Sequence, residues 1–178
     1  ITTGEGGMVM TADSEAAARL RRFRNHGITA DSRERERIGS FAYDMVELGF
    51  NYRLTDLQCA LGLSQLRRLP RFLERRRAIA KRYRDRLRDV AGIVPLAERE
   101  GVEHAYHLFV VRLDPNHRDR KAVYDHCLAE GVHVNVHYRP VHLQPLYRER
   151  LGTQPGDCPV AEAAYARILS LPMFPAMS

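Results

Sequence analysis

Long apolar runs are absent from this sequence. No stretch approaches the ~20 consecutive apolar residues that a membrane-spanning helix needs, and the chain does not open with the charged-then-apolar pattern of a secretory leader. The three cysteines, Cys59, Cys127 and Cys158, are odd in number and lack paired metal-ligand spacing, so they indicate neither a disulfide framework nor a zinc site. The sequence therefore predicts a soluble, cytoplasmic protein without a membrane or metal partner.

The composition is that of a basic, globular protein. The 178 residues are 44% hydrophobic, which is enough for one domain or for two small pieces that share an interface, and disfavours disorder. The formal charge is +6, and most of the excess lies between Arg67 and Arg88. Such a bias suits nucleic acid, an acidic membrane surface or a phosphorylated small molecule, and charge alone does not choose between them.

The first fifty residues predict a strand, a helix and a long loop. Met8–Thr11 is a short apolar run typical of a buried strand, and Asp13 or Ser14 can cap the helix that follows as far as Phe23. A strand followed by a helix favours an α/β layer. Residues 24–50 lack sustained periodicity, and long loops of this kind are often functional.

The remaining sequence predicts two helices and then a small α/β unit. Thr55–Gln58 fits a capping box, and Pro70 predicts a break or kink between a first helix and a second, basic one. After Gly92 the pattern changes to shorter elements. They are strands at Ile93–Val94, Tyr106–Leu113 and Val132–Val136, and helices at Arg118–Glu130 and Ala161–Leu169.

Two segments of the first half are candidates for binding an anion. Thr2–Gly7 is a glycine-rich turn whose amides could approach a phosphate, but its spacing matches no Walker loop or dinucleotide fingerprint, and a structural turn is the alternative. Asn51 and Arg53 stand immediately before the predicted helix start, where an amide and a guanidinium suit a phosphate at the positive helix terminus. The alternative is an ordinary capped helix with a surface arginine.

Two further polar segments carry histidine. His133, Asn135 and His137 would share one side of a predicted strand. Because no Asp or Glu accompanies them in sequence, a polar substrate wall is favoured over a metal site, with a solvated strand surface as the alternative. Arg24–Gly27 has the composition of a helix end, in which the cations complement the helix C-terminus and the glycine terminates it.

Six segments, taken in order, are similar to those of one known family: ITTGEGGMVMT, RNHGI, ELGFNYRLTDLQCALGLSQLRRL, YHLFVVRL, GVHVNVHYRP and ILSLPMFP. They span nearly the whole chain and resemble the DegT/DnrJ/EryC1/StrS family of sugar aminotransferases, most specifically over Gly49–Leu69. Within the family, VNVHYRPVHLQPLYR is most similar to the branch that aminates a UDP-linked 4-keto-6-deoxy-N-acetylhexosamine in pseudaminic acid biosynthesis.

The resemblance implies an α/β protein of the pyridoxal phosphate (PLP)-dependent transferase fold type I. Residues 1–70 would be the C-terminal part of the large PLP-binding domain, and residues 71–178 the small C-terminal α/β domain. Because the chain begins within a motif and without an initiator methionine, we expect a C-terminal fragment. The lysine that binds PLP covalently in this family is expected immediately before Ile1, so no catalytic residue is assigned within the chain.

The resemblance also implies binding residues and partners. Asn51 corresponds to the family asparagine that reaches the PLP phosphate of the neighbouring subunit in a homodimer, and Arg53 would support the same anion or a substrate carboxylate. Glu5, His137 and Tyr138 are expected on the substrate side. The implied reaction moves an amino group from L-glutamate to a keto sugar linked to a nucleotide, in surface-sugar biosynthesis, without nucleic acid, membrane or metal.

Alternatives stay open at this point. Family members with histidine in place of the lysine dehydrate the sugar, and the residue before Ile1 decides between the two reactions. The stretch Arg67–Arg88 could instead belong to a nucleic-acid-binding module, although it lacks interleaved aromatic residues and any known RNA or DNA motif. By itself, the chain could also act as a non-catalytic dimerisation domain. In the aminotransferase interpretation, the arginines of that stretch form mostly a solvated helix surface.

Overall fold

The computed structural model describes residues 1–177 and divides the chain into two compact units, an N-terminal unit over Ile1–Leu69 and a C-terminal unit over Pro70–Ser178. Its elements are mixed α and β, as the α/β fold class requires. The helices are α1 (Ser14–Phe23), α2 (Ser32–Ile38), α3 (Asp56–Leu87), α4 (Arg120–Ala129), α5 (Pro145–Leu151) and α6 (Pro159–Tyr165), and the strands are β1 (Ile93–Pro95), β2 (Phe109–Leu113) and β3 (Ile168–Leu171). Among the described helices, none combines the length and the hydropathy needed to cross a bilayer.

The N-terminal unit has the predicted first helix and a second one that was not predicted. The Asp13 carboxylate accepts hydrogen bonds from two backbone N–H groups of the first turn of α1, which confirms the predicted cap. The predicted loop over residues 24–50 is wrong in part, because it contains α2. Asp31 caps this helix and Gly39 ends it with a φ of 66°. A seven-residue, charge-rich helix has no apolar stripe, so periodicity could not reveal it.

The predicted strand over Met8–Thr11 is not observed. These residues pair with no strand within the described chain, and Met8, Val9 and Met10 are 78%, 68% and 85% exposed. An apolar run becomes a strand only where another strand offers it backbone hydrogen bonds, and none does so within residues 1–177.

Helix α3 runs without interruption through Pro70, so the predicted break is wrong. Proline in a helix interior removes one hydrogen bond and costs about 3 kcal/mol. The 32-residue helix tolerates this cost because its later turns are anchored by the buried residues Ile79 and Ala80.

A three-stranded antiparallel sheet in the order β1-β2-β3 organises the C-terminal unit. Phe109, Val111 and Leu113 alternate along β2 and point into the core, as the period of two predicts. They pack with Ala80 of α3 and Leu169 of β3. Burial of these side chains supplies most of the unit's stabilisation, since each contributes about 1.5–3 kcal/mol.

Tertiary pairing changed two predicted elements of the C-terminal unit. The helix predicted over Ala161–Leu169 ends at Tyr165, because Ile168–Leu171 pairs with β2 as strand β3. The strand predicted over Val132–Val136 is reduced to a single bridge between Asn135 and Ser170. This segment lies beside β3 on the side away from β2, where Asn135 and Ser170 exchange both backbone hydrogen bonds, and sequence periodicity does not show how short this pairing is.

Four arginines of α3 donate hydrogen bonds to backbone carbonyl groups within the C-terminal unit. One guanidinium nitrogen of Arg76 donates to the carbonyls of Tyr106 and Met173 at 2.7 and 3.0 Å. The interpretation of this stretch as mostly a solvated surface is confirmed, because eight of its ten arginines are exposed and Arg76 and Arg84 are half-buried. The other arginines with such contacts are Arg75, Arg77 and Arg84.

Candidate functional site

The predicted capping box is present at the start of α3. The Thr55 backbone N–H donates to Gln58 Oε1 at 2.9 Å, and the Gln58 N–H donates to Thr55 Oγ1 at 3.3 Å. This reciprocal pair satisfies N–H groups that lack a helical partner and fixes the direction in which the chain enters the helix. The positive end of α3 therefore has a defined position directly after Asn51 and Arg53.

The glycine-rich turn is held against this helix. Gln58 Nε2 donates to the Glu5 carbonyl at 3.0 Å, and the Thr2 backbone N–H donates to Gln65 Oε1 at 2.9 Å. Gly6 has a φ of 151°, and a Cβ at this position would lie 2.6 Å from Thr3 Oγ1. A glycine is therefore required here both for its conformation and for the close approach. The Glu5 side chain is exposed beside the helix start.

Two motifs that are distant in sequence form one backbone crossing. Phe50 donates its N–H to the Phe23 carbonyl at 2.7 Å, and His26 donates to the Phe50 carbonyl at 3.0 Å. The two backbone segments lie very close together. A Cβ on Gly27 would lie 1.8 Å from the Glu47 carbonyl oxygen, and one on Gly49 would lie 2.2 Å from the Gly27 nitrogen. The segment before α3 is thus attached to the end of α1, which sequence reasoning had treated only as a helix terminus.

This crossing positions Asn51 and Arg53. Asn51 pairs with Asn25 in an isolated bridge, and its exposed side chain has no hydrogen-bond partner within residues 1–177. Arg53 donates from Nη1 to Oδ1 of the buried Asn25. One guanidinium nitrogen is thereby fixed, and the other donors stay available. Sequence reasoning did not identify Asn25 as a positioning residue, although its place before Gly27 in RNHG was the available signal.

Glu5 and Arg53 line a common cavity of about 810 Å³. The glycine-rich turn, Gln58 and residues of α1 complete its wall, and Asn51 is not among its lining residues. This volume lies in the range of small-molecule sites. The structure therefore joins two of the three candidate residues of the N-terminal unit in one cavity, which we call the glycine-turn cavity.

His137 and Tyr138 belong to the C-terminal unit, whereas Glu5, Asn51 and Arg53 belong to the N-terminal unit. The Nδ1 atom of His137 lies 2.9 Å from Oγ of the buried Ser170, which fixes the half-buried imidazole on β3. Tyr138 is 74% exposed, and its ring meets that of His137 edge to face at 4.7 Å. His137 is therefore held in place, whereas Tyr138 is presented to solvent.

His142, five residues after His137, has an acidic partner, which comes from another element of the fold. His142 Nε2 lies 2.8 Å from Oε1 of Glu162 on α6, and the same oxygen accepts the Gly156 N–H at 2.8 Å. The hydrogen bond from His142, followed by that from Gly156, lowers the pKa of the Glu162 carboxyl below its ordinary value. This pair closes a loop, and no group of three potential metal ligands exists among the residues that the structure describes.

Comparison with known proteins defines the class to which this fold and site belong. The chain matches aminotransferase TlmJ from Streptoalloteichus hindustanus with a TM-score of 0.84 and 32% identity, covering 99% of this chain and 44% of TlmJ. It matches Helicobacter pylori PseC, an aminotransferase involved in the biosynthesis of pseudoaminic acid, with a TM-score of 0.82 and 27% identity over 94% of this chain and 43% of PseC. It matches the PMP form of the sugar aminotransferase Spr1654 from Streptococcus pneumoniae with a TM-score of 0.83 and 30% identity, over 97% of this chain and 43% of Spr1654.

The chain belongs to the DegT/DnrJ/EryC1/StrS aminotransferase family, whose family model matches residues 1–178. Among curated relatives, it is 36% identical to MJ1066 of Methanocaldococcus jannaschii and 35% identical to the spore coat polysaccharide biosynthesis protein SpsC of Bacillus subtilis. Each alignment covers 100% of this chain and 47% of the relative, so the chain spans about half the length of these proteins. The expected cofactor, PLP, is confirmed as the cofactor of the family.

Proposed function

We propose that the protein is a PLP-dependent aminotransferase that moves an amino group from L-glutamate to a keto group on a nucleotide-linked sugar. The family and its structural neighbours are sugar aminotransferases, which supports the reaction class. The proposal goes beyond the reaction class in two respects: it names L-glutamate as the amino donor, and it places a nucleotide on the sugar. The lysine that binds the cofactor covalently would precede Ile1, and the protein would act in the cytoplasm as a homodimer with shared active sites.

The arrangement of Asn51 and Arg53 carries this proposal. The Asn51 amide, which has no partner within residues 1–177, and the Arg53 guanidinium with its free donors lie within four residues of the Thr55 cap at the positive end of α3. This donor set fits a phosphate dianion, so Asn51 and Arg53 are the residues of this chain that would hold the PLP phosphate, in the site of the neighbouring subunit. Bound PLP supplies an electron-accepting ring for the exchange of the amino group.

Other residues of the chain position the substrate. The Gln58 side chain holds the backbone carbonyl of Glu5, and Glu5 and Arg53 both line the glycine-turn cavity. In the C-terminal unit, Ser170 orients His137, and the exposed Tyr138 hydroxyl is available to hydrogen-bond with a sugar. We assign these three residues to substrate binding, where they contribute orientation rather than chemistry.

The narrower substrate is a UDP-linked 4-keto-6-deoxy-N-acetylhexosamine, used in surface-sugar biosynthesis. The similarity of VNVHYRPVHLQPLYR to the pseudaminic acid branch supports it, and PseC is among the structural neighbours. SpsC, by its name, also serves the synthesis of a surface polysaccharide. Because the TM-score to TlmJ is similar to that to PseC, the fold alone does not favour one sugar over another.

An assay of the protein together with the segment that precedes Ile1 tests the proposal. With PLP, L-glutamate and the UDP-linked keto sugar, we expect 2-oxoglutarate and an amino sugar, both detected by mass spectrometry. Asn51→Ala should raise the Kd for PLP by about 10- to 100-fold, because a hydrogen bond to a charged group is lost. Asn116→Ala, at an exposed asparagine of the C-terminal unit, is the matched control and should leave this Kd unchanged.

Two results would contradict the proposal. A dehydrated sugar without any 2-oxoglutarate would assign the protein to the dehydratases of the family, and peptide mass spectrometry would then show histidine before Ile1. A protein that develops no PLP absorbance and stays monomeric would exclude the shared cofactor site.

A further inference from the structure

Strand β3 places Ser170 on the face of the sheet that lies away from the hydrophobic core. Its neighbour Leu169 is buried in the core and Leu171 packs against it, and successive side chains of a strand point to opposite faces. Ser170 is nevertheless only 4% exposed. A serine hydroxyl in such a place needs a partner within the protein, because an unpaired buried hydroxyl costs about 1–3 kcal/mol.

His137 reaches the same face of the sheet from the segment beside β3. Val134 is buried in the core and Val136 packs against it. Asn135 and His137 therefore alternate onto the opposite side. Asn135 and Ser170 exchange both backbone hydrogen bonds, at 3.1 and 2.7 Å. His137 follows this bridge by two residues, and its Nδ1 atom lies 2.9 Å from Ser170 Oγ.

This contact decides where the proton of an uncharged His137 ring lies. Within residues 1–177, Ser170 Oγ forms no other hydrogen bond. In an uncharged imidazole, one ring nitrogen donates and the other accepts. If Nδ1 carried the proton, it would donate to Oγ, and the buried hydroxyl proton would have no acceptor. If Nδ1 accepts instead, the hydroxyl donates to it and both groups are satisfied.

The proton of the ring then lies on Nε2. This nitrogen has no hydrogen-bond partner within the described part of the chain, and the imidazole is only half-buried. The ring of Tyr138 meets that of His137 edge to face, with the centroids 4.7 Å apart. Because the two ring nitrogens point in divergent directions, a ring that Ser170 holds at Nδ1 presents its Nε2–H away from β3. His137 therefore has one fixed end and one available donor.

We propose that Ser170 is a positioning residue that holds the proton of His137 on Nε2, so that His137 donates a hydrogen bond to an oxygen of the sugar and does not act as a base. Naming the sugar as the acceptor rests on the proposed function, in which His137 contributes to substrate binding. With the Nδ1 lone pair engaged by Ser170 and the proton on Nε2, the ring has no free lone pair that can take a proton from the substrate. Carbonyl and hydroxyl oxygens of a sugar suit a single uncharged donor.

A purely structural role for this contact makes a different prediction. The hydroxyl of Ser170 would then serve only to attach the His137 segment to β3. Its removal would lower the melting temperature, but the position of the ring proton and the binding of the sugar would not change.

Nitrogen NMR of the histidine rings locates the proton directly. We expect it on Nε2 of His137 in the protein with its preceding segment, isotope-labelled in histidine and held at about pH 8, where an ordinary imidazole is uncharged. His137→Gln identifies the signal by its loss. Ser170→Ala should move the proton to Nδ1 in part of the population, whereas Ser170→Thr keeps a hydroxyl and should keep the proton on Nε2. The matched control, Thr153→Val, removes a hydroxyl that donates to the His142 carbonyl at 2.7 Å and should leave the His137 signal unchanged.

Steady-state kinetics with the UDP-linked keto sugar test the donor role. Ser170→Ala should raise KM by about 3- to 10-fold and change kcat less than about threefold, because one hydrogen bond to an uncharged acceptor is lost. Ser170→Thr and the control Thr153→Val should retain the KM of the unsubstituted protein. In His137→Gln, the side-chain amide offers an N–H in place of Nε2–H, so kcat should stay within about threefold. A fall in kcat of about 100-fold or more would show that His137 moves a proton and would overturn the inference.

The outcomes separate this inference from the proposed function. A proton on Nδ1 in the unsubstituted protein, or the same proton position in Ser170→Ala, would overturn the inference even if the protein binds PLP and aminates the sugar. An unchanged KM in Ser170→Ala would overturn it as well. If the proton lies on Nε2 and depends on Ser170 while the protein forms no amino sugar, the positioning role of Ser170 stands and the proposed function fails.

Discussion

The two units of this chain are stabilised in different ways. The C-terminal unit buries a cluster of seven hydrophobic residues around β2, including Phe109, Val111 and Leu169. Within residues 1–69, the residues that are buried are Asn25 and Gly27. Large apolar side chains of the N-terminal unit stay exposed, among them Phe41 at 94%.

This difference explains where the candidate binding groups lie. A unit with little apolar burial has to be stabilised by hydrogen bonds and close backbone contacts, such as the Thr55–Gln58 capping box and the Gly27–Gly49 crossing. Polar groups fixed in this manner, and still accessible, are those that can bind an anion without further ordering. The C-terminal sheet instead provides a rigid support for His137 through Ser170.

Removing one aromatic ring from each unit should produce the largest difference in stability between two matched variants. Phe109→Ala should destabilise the protein by about 3–5 kcal/mol, because a ring that is 2% exposed and stacked on Tyr83 leaves a cavity. Phe41→Ala removes the same atoms from an exposed position and should change stability by less than about 0.5 kcal/mol. Urea unfolding followed by circular dichroism measures both. Similar losses for the two variants would show that Phe41 is buried in solution and would remove the contrast between the units.

The close backbone crossing of the N-terminal unit should be the next most sensitive feature. Gly27→Ala combines a φ of 68° with a methyl group 1.8 Å from the Glu47 carbonyl oxygen, and we expect a local cost of about 2–4 kcal/mol. Gly39→Ala is the matched control, because its φ is 66° and no atom lies within 4 Å of the added methyl group, so it should cost about 1 kcal/mol. Amide hydrogen exchange of His26 and Phe50, whose N–H groups bridge the crossing, reports the difference. If these two amides exchanged equally slowly in both variants, the backbone around Gly27 would not lie as close to Glu47 as the structure shows.

The smallest expected effect is a pH dependence confined to the C-terminal unit. Because the pKa of Glu162 is lowered on folding, chiefly by the His142 hydrogen bond, its contribution to stability is complete above pH 4.5 and is lost as the pH falls below that value. Glu162→Gln should therefore reduce the drop in melting temperature between pH 5.5 and pH 3.5. Glu149→Gln, at an exposed position of α5, is the control and should retain the drop of the unsubstituted protein. An unchanged drop in Glu162→Gln would contradict a role for this hydrogen bond in folding.

Sequence patterns correctly predicted the features that depend only on residues close together in the chain. The Asp13 cap of α1 and the Thr55–Gln58 capping box depend on side chains within three residues of the N–H groups that they satisfy, and both are observed. The alternation of Phe109, Val111 and Leu113 likewise predicted their common side of β2. The candidate residues Asn51 and Arg53 were predicted from their spacing to the cap and from the family resemblance, whereas the contact of Arg53 with Asn25 depends on the backbone crossing and is visible only in the tertiary structure.

The sequence by itself determined the helix caps, the strand alternation and the family, because these depend on residue types at fixed short spacings. Only the tertiary structure decided that Ile168–Leu171 pairs with β2 as a strand, whereas Val132–Val136 joins the sheet through a single bridge to Ser170 of β3. It also decided that α3 continues through Pro70, and that Arg53 lines the same cavity as Glu5. These outcomes depend on contacts between residues far apart in the chain, which no local pattern encodes.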